Sequence, residues 1–221
     1  FVYFPLQLEP ERTLLISAPY YRNQIEVIKN IARSIPVEFF LYVKEHPRQG
    51  SEGWRNIDDY KEILNLPNVR LIHPDVSNNI LLEKCSAVVT INGTLGLESL
   101  FNKKPSIVFA DTIYSKLSSV SRITNLEELP KIIKQTIKKT VELEELDNFA
   151  RKIENNSFEL NTQELESKTH RLFYYGGFLF DVKIDEKKVE GFLNQERKTF
   201  RKLAEEHVKK IQALILKEGF K

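Results

Sequence analysis

Short apolar runs alternate with stretches of helical period through the first 140 residues, the pattern of a parallel sheet wound with helices. Phe1–Leu6, Thr13–Ser17, Phe39–Lys44, Val69–His73, Ala87–Ile91 and Pro105–Ala110 read as strands. Between them, Gln24–Arg33 repeats Ile25, Ile28 and Ile31–Ala32 along one helical face, with Pro36 just beyond its end. Ile57–Leu64 reads as a second helix, stopped by Pro67. Ser77 is placed to cap a third through Lys84, its hydroxyl taking a free amide of the first turn. A fourth follows Asn92-Gly93-Thr94 and runs to Phe101. Asn125 opens an amphipathic helix with Leu126, Leu129, Ile133 and Ile137 inward and Lys131, Lys134 and Lys138 outward.

From about residue 141 the strand signals stop. Asn155–Thr169 is polar and linker-like, and Val189–Leu216 is one long helical pattern with Val189, Leu193, Phe200, Leu203, Ile211 and Leu214 along a stripe. Such a stripe needs a partner: the α/β core, another domain or another subunit. The expected organisation is therefore a Rossmann-like α/β domain over residues 1–140 and a helical extension with a polar linker over 141–221.

Composition narrows the function. Lys and Arg total 33 against 31 Asp and Glu, for a net charge of +2, and both signs are interspersed. That excludes a dedicated nucleic-acid binder, which carries a basic stripe. The single cysteine, Cys85, allows no intramolecular disulfide, fits a reducing compartment and reads as a small core residue. No apolar run approaches the roughly 20 residues of a membrane span, and no signal peptide is visible. The expected location is cytoplasmic. The Lys131, Lys134 and Lys138 face reads first as solvated, with a peripheral contact at the inner face of the membrane as the second reading. The chain holds no methionine and starts on an apolar strand, so it is expected to be a piece of a longer protein.

In open parallel sheets ligands bind outside the carboxyl ends of the strands. The loops expected there are Gln7–Arg12, Glu45–Gln49, His73–Ser77 and Asn92–Thr94. Asn92-Gly93-Thr94-Leu95-Gly96-Leu97-Glu98 is the strongest constellation. Gly93 lets the backbone approach a ligand, the following helix offers unpaired amides, and Thr94 adds a hydroxyl. Glu98, four residues on, shares the face of Thr94 and could accept from a ribose diol. A capped helix with a surface glutamate accounts for the same spacing. In Lys44-Glu45-His46-Pro47 the proline ends a strand and holds His46 at the sheet edge. There an imidazole can donate to a phosphate oxygen or protonate a departing phosphate; a structural histidine is the plainer alternative. His73-Pro74 repeats the pattern more weakly, and His170 and His207 fall in the helical extension. The dispersed histidines show no metal-ligand spacing. The G-x-S-x-G, Walker and G-x-G-x-x-G motifs are all missing from the sequence.

Phe4-Pro5-Leu6…Glu9-Pro10-Glu11, Tyr42-Val43-Lys44-Glu45-His46-Pro47, Leu66-Pro67-Asn68-Val69, Gly93-Thr94-Leu95-Gly96-Leu97-Glu98 and Lys104-Pro105 occur in this order. Together they resemble the capsule polysaccharide biosynthesis glycosyltransferases, which are similar to bacterial Kdo-transferases and sialyltransferases that share an H-P motif. The resemblance spans about residues 1 to 130. It implies one half of a GT-B fold, the C-terminal half that binds the nucleotide-sugar donor. It further implies His46 as the catalytic phosphate contact and Lys44, Pro47, Gly93, Thr94, Glu98 and Glu9 as donor-binding residues. The acceptor is then a polysaccharide or glycolipid and the base comes from an N-terminal domain, so this chain alone is expected to bind donor without transferring sugar. The H-P motif favours a CMP-sugar over a UDP- or GDP-sugar, and neither a cofactor nor a metal is expected. Two rivals stand beside this reading. One is a non-hydrolysing sugar-nucleotide epimerase, separable by its need for no acceptor. The other is a non-catalytic scaffolding subunit, separable by its lack of nucleotide affinity.

Overall fold

The computed structural model describes residues 1–174 and 183–218. They form two compact units, Phe1–Ala150 and Arg151–Lys221.

The first unit is a six-stranded, wholly parallel sheet. Its strands are β1 (Val2–Pro5), β2 (Leu41–Lys44), β3 (Val69–Ile72), β4 (Ala87–Thr90), β5 (Ser106–Val108) and β6 (Val120–Arg122). Their spatial order is β3-β2-β1-β4-β5-β6, the doubly wound arrangement. Val2 pairs with Leu41 on one side and with Ala87 on the other. The expected α/β class holds.

The continuous apolar character of these strands follows from burial on both faces. Val2, Phe4, Val43, Val89 and Ile107 enter one core with Ile28 and Ile31 of α2 (Gln24–Ser34), Ile63 of α4 (Ile57–Leu64), and Leu129 and Ile133 of α7 (Leu129–Thr136). Tyr3 and Val88 enter the opposite core with Leu81 and Leu82 of α5 (Asn78–Lys84) and with Cys85. Val108 and Val120 form a separate cluster with Leu100 of α6 (Leu95–Phe101), Tyr114, and Leu146 of α8 (Leu143–Glu154). Side-chain caps stop these helices from fraying. Asn23 accepts from the Ile25 and Glu26 amides, and Ser77 accepts from Asn79, as its spacing predicts.

Four local expectations change. Thr13–Ser17, expected as a strand, lies in α1 (Arg12–Ser17). Both neighbours of β1 in the sheet are already taken, and of this apolar run only Leu14 is buried while Leu15 and Ile16 are exposed. β6 is an edge strand of three residues, Val120-Ser121-Arg122, too short and polar for the pattern to reveal. The linker-like Asn155–Thr169 contains the start of α9 (Thr162–Phe173), capped by Asn161 accepting from Glu164. The single long helix is two, α10 (Glu186–Gln195) and α11 (Arg197–Glu218). They divide at Glu196, whose carboxylate takes Lys168 Nζ at 2.7 Å and the Thr199 hydroxyl at 3.1 Å. A short helix, α3 (Gln49–Glu52), also joins β2 to α4. Within the second unit Phe192 sits edge-on to Phe173 and Phe200, at 5.3 and 5.9 Å between centroids. Among the described residues no helix is long and apolar enough to cross a membrane. Lys131, Lys134 and Lys138 are exposed.

Candidate functional site

The chain moves outward in one direction from β1 to β2 and β3, and in the other from β4 to β6. The strand order reverses between β1 and β4, and a crevice opens at their carboxyl ends. Its two adjoining lobes enclose about 220 and 320 Å³. Pro5, Leu6, His46, Thr94 and Leu95 border both lobes, so His46 and Thr94 stand at the waist of one cleft.

His46 enters on the turn after β2. Its Nδ1 accepts the Arg48 amide at 3.2 Å, which leaves the proton of the neutral ring on Nε2. Burial holds the imidazole below its ordinary pKa, against the opposing pull of Glu11 and Glu45. The ring is thus a neutral donor at pH 7.

Opposite His46, the Gly93 amide donates to Thr90 Oγ1 at 3.1 Å, and the Gly93 carbonyl accepts the Tyr114 hydroxyl at 2.5 Å. A side chain at 93 would place its Cβ 2.8 Å from Thr90 Oγ1; at 96 it would lie 2.5 Å from Tyr114 Oη. Both glycines are required by close approach rather than by positive φ. Thr94 then starts α6, and its hydroxyl donates to Glu98 Oε1 at 3.0 Å.

The two lobes differ in character. In the larger, Lys44 is 3% exposed and donates to Asn78 Oδ1 at 2.7 Å, an oxygen that also takes the Tyr3 hydroxyl at 3.0 Å. Burial pulls this ammonium below its ordinary pKa, and the partner that receives its hydrogen bond is a neutral amide. In the smaller lobe Gln7 Nε2 donates to Asn92 Oδ1. Gln7 Oε1 is buried with no hydrogen-bond partner among the described residues.

Beneath the cleft lies Arg55, its side chain 3% exposed. Nε holds Glu45 Oε2 at 2.9 Å, Nη1 holds Glu9 Oε2 at 2.5 Å, and Nη2 donates to the Gln7 carbonyl at 2.5 Å. Glu45 also accepts from the Tyr60 hydroxyl at 2.8 Å and from the His46 amide at 2.7 Å. One guanidinium therefore ties the loop after β1 to the turn that carries His46.

The family model for capsule polysaccharide biosynthesis proteins matches residues 1–129, which takes in the whole cleft. The chain belongs to the capsule polysaccharide biosynthesis family. Protein FixF of Sinorhizobium fredii is 26% identical over 132 residues, 58% of this chain and 31% of FixF. This chain therefore spans about a third of that curated relative. Two solved structures are similar. The beta Kdo 2,7 transferase KpsC of Thermosulfurimonas dismutans has a TM-score of 0.48 at 17% identity, over 67% of this chain and 44% of that one. HepE of Anabaena, solved with UDP and glucose, has a TM-score of 0.43 at 15% identity, over 78% and 48%.

In this capsule-family chain the structure brings most of the expected site residues together. Lys44, His46, Pro47, Thr94 and Glu98 line the larger lobe, and His46, Gly93 and Thr94 the smaller. Glu9 stands apart. Both its carboxylate oxygens are engaged, one by Gln24 Nε2 at 2.5 Å and one by Arg55, in a neighbouring hollow. Glu11, two residues on, borders both that hollow and the cleft. His73 is exposed, with Nδ1 3.5 Å from Asp75 Oδ2. In the second unit His170 stacks on Tyr174 at 4.1 Å, and His207 Nδ1 lies 2.7 Å from the Leu203 carbonyl. Sequence reasoning missed Tyr3, Gln7, Asn78, Tyr114 and Arg55. Tyr3 hides in an apolar strand, and the others sit in turns or first helical positions where no periodicity marks them. The one available signal was position: Gln7 directly follows a strand at the carboxyl edge.

Proposed function

We propose that the cleft binds the nucleotide diphosphate or monophosphate part of a sugar donor, and that the family protein containing this chain is a glycosyltransferase. The observation that carries the reading is the waist of the cleft, where a neutral His46 with its proton on Nε2 faces the Gly93-Thr94 turn. Phosphate oxygens need hydrogen-bond donors and positive charge. His46 Nε2–H and the start of α6 supply the first, and Lys44 the second. Glu98, once its bond from Thr94 is exchanged for a ligand hydroxyl, suits a ribose diol. Gln7 Oε1 is an unfilled acceptor for a further ligand N–H or O–H. Glu9 contributes through Arg55 rather than by touching the donor.

In the proposed reaction an acceptor hydroxyl oxygen bonds to the anomeric carbon as the bond from that carbon to the phosphate oxygen breaks. The electron pair leaves with the nucleotide, where His46 and Lys44 stabilise it. In this reading the hydroxyl proton goes to a base outside these cleft residues, contributed by another domain of the enzyme. A polysaccharide or glycolipid is the acceptor, and CMP is the first nucleotide to try on the strength of the H-P motif.

The test is calorimetric titration of the chain with CMP, UDP and GDP, repeated on His46→Ala and Glu98→Ala. Saturable binding of one nucleotide is expected, weakened roughly tenfold by loss of the His46 hydrogen bond, for which about 1.5 kcal/mol is typical of a charge-assisted bond. Equal affinity in wild type and His46→Ala would sink the assignment.

A further inference from the structure

Beside the donor cleft lies a second hollow of about 370 Å³, within the roughly 300–1,000 Å³ range of small-molecule sites. The two share a wall residue, Glu11. Its floor includes the buried Arg55 and Gln49, whose Oε1 accepts from Arg55 Nη2 at 3.4 Å, and its rim carries Trp54, the chain's single tryptophan. That indole is 64% exposed. It is nevertheless seated, because a Cβ on Gly50 would meet Trp54 Cζ2 at 2.8 Å; the ring lies directly over the glycine backbone. Asp59 and Asn56, at the start of α4, complete the polar side.

We infer that this hollow is a saccharide subsite that holds one pyranose unit of the acceptor against Trp54. The chemistry is selective for that class of ligand. One face of a pyranose ring presents only C–H bonds, which suit the negative face of an indole. Its edge presents hydroxyl pairs, which donate to carboxylates such as Glu11 and Asp59. A nucleobase would stack equally well, but it has no vicinal diol for two carboxylates to share. A peptide anchor would find charged groups of both signs, Glu11 and Asp59 with Arg22, around a single ring. Glu11 reaches both spaces, so a saccharide here lies next to the place where the donor's phosphate departs.

The assignment rests on the transferase reading for the biological identity of its ligand, but its test is independent of nucleotide binding. Trp54 is the sole indole, so intrinsic tryptophan fluorescence reports on this hollow alone. The chain is titrated with methyl β-glucopyranoside, methyl β-galactopyranoside and N-acetylglucosamine up to tens of millimolar, since weak binding is the rule for ligands of so few atoms. A saturable change in Trp54 emission with at least one of them supports the subsite. Asp59→Ala, which leaves the indole in place, is expected to weaken that response several-fold while leaving nucleotide titrations unchanged. Trp54→Phe, followed by calorimetry, is expected to retain more affinity than Trp54→Ala. No saccharide response in folded wild-type protein overturns the subsite even where CMP, UDP or GDP binds. Saccharide binding without any nucleotide binding keeps the subsite and overturns the donor reading. An emission shift on raising protein concentration, with none on adding sugar, assigns the hollow to a second copy and overturns the inference.

Discussion

Arg55 Nε and Glu45 Oε2 are 2.9 Å apart, and both side chains are almost wholly buried. Neither member of such a pair is well tolerated alone, because removing one leaves the other charge in a medium that solvates it poorly. Arg55→Met is therefore expected to cost about 3–5 kcal/mol in chemical denaturation. Combining it with Glu45→Gln should cost less than the sum of the two single changes, since the buried Glu45 charge is no longer left without its partner; Glu9, which also loses Arg55, is partly exposed to water. Additive losses would show that the two groups act separately.

The protonation state of His46 makes a second prediction. Its folded pKa lies below the ordinary 6.5, with burial as the leading cause. The native state therefore binds fewer protons than the unfolded chain just below pH 6.5. The histidine's contribution to stability is complete above that pH and is lost as pH falls toward the folded value. Following the imidazole C2–H by NMR should give an apparent pKa under 6.5 in the folded chain. Adding the nucleotide that binds should raise it, because a phosphate favours the imidazolium. A value unchanged by ligand would mean that the phosphate does not reach the ring.

Gly96→Ala tests the turn. The new Cβ would sit 2.5 Å from Tyr114 Oη, the group that donates to the Gly93 carbonyl. The expected loss is about 1–3 kcal/mol, as for overpacking in a tight core, together with weaker nucleotide binding. In a Tyr114→Phe background the closest contact is removed, leaving Thr90 Cγ2 at 3.0 Å and the ring Cζ at 3.1 Å, so Gly96→Ala should cost less there. Equal penalties in both backgrounds would place the strain elsewhere.

Cys85 is 1% exposed, and burial pushes its thiol up to about 11. Thiol reagents attack the thiolate, so labelling of native protein at pH 8 should be slow and limited by opening of the fold. Its rate is expected to rise in parallel with denaturant; rapid labelling of the native state would contradict the burial.

Much of this organisation was readable from the residues. Gln24–Arg33, Ile57–Leu64 and Ser77–Lys84 announce themselves through period and caps, and β1, β2, β4 and β5 through apolar runs with both faces covered. Thr13–Ser17 misled because Thr-Leu-Leu-Ile has strand character locally, while the sheet had no free edge beside β1; only the topology decides it. At the cleft, His46 and Gly93-Thr94 were legible because proline and glycine mark the ends of strands. Arg55 was not. Its role depends on Gln7, Glu9 and Glu45, from two loops that only the folded sheet brings together. Long-range polar networks leave no periodic trace in a sequence.

The pairing of β1 with both β2 and β4 also bears on how the protein comes to be. Val2 meets Ala87 across a long stretch of chain, and non-local pairings of this kind slow folding because loop closure precedes the contacts that reward it. His46 reaches its place once β2 joins β1, but the Gly93-Thr94 wall arrives only with β4. During synthesis the His46 side of the cleft is therefore made before the Gly93-Thr94 side. A nucleotide that binds the finished cleft would select completed molecules and leave partly assembled ones unprotected.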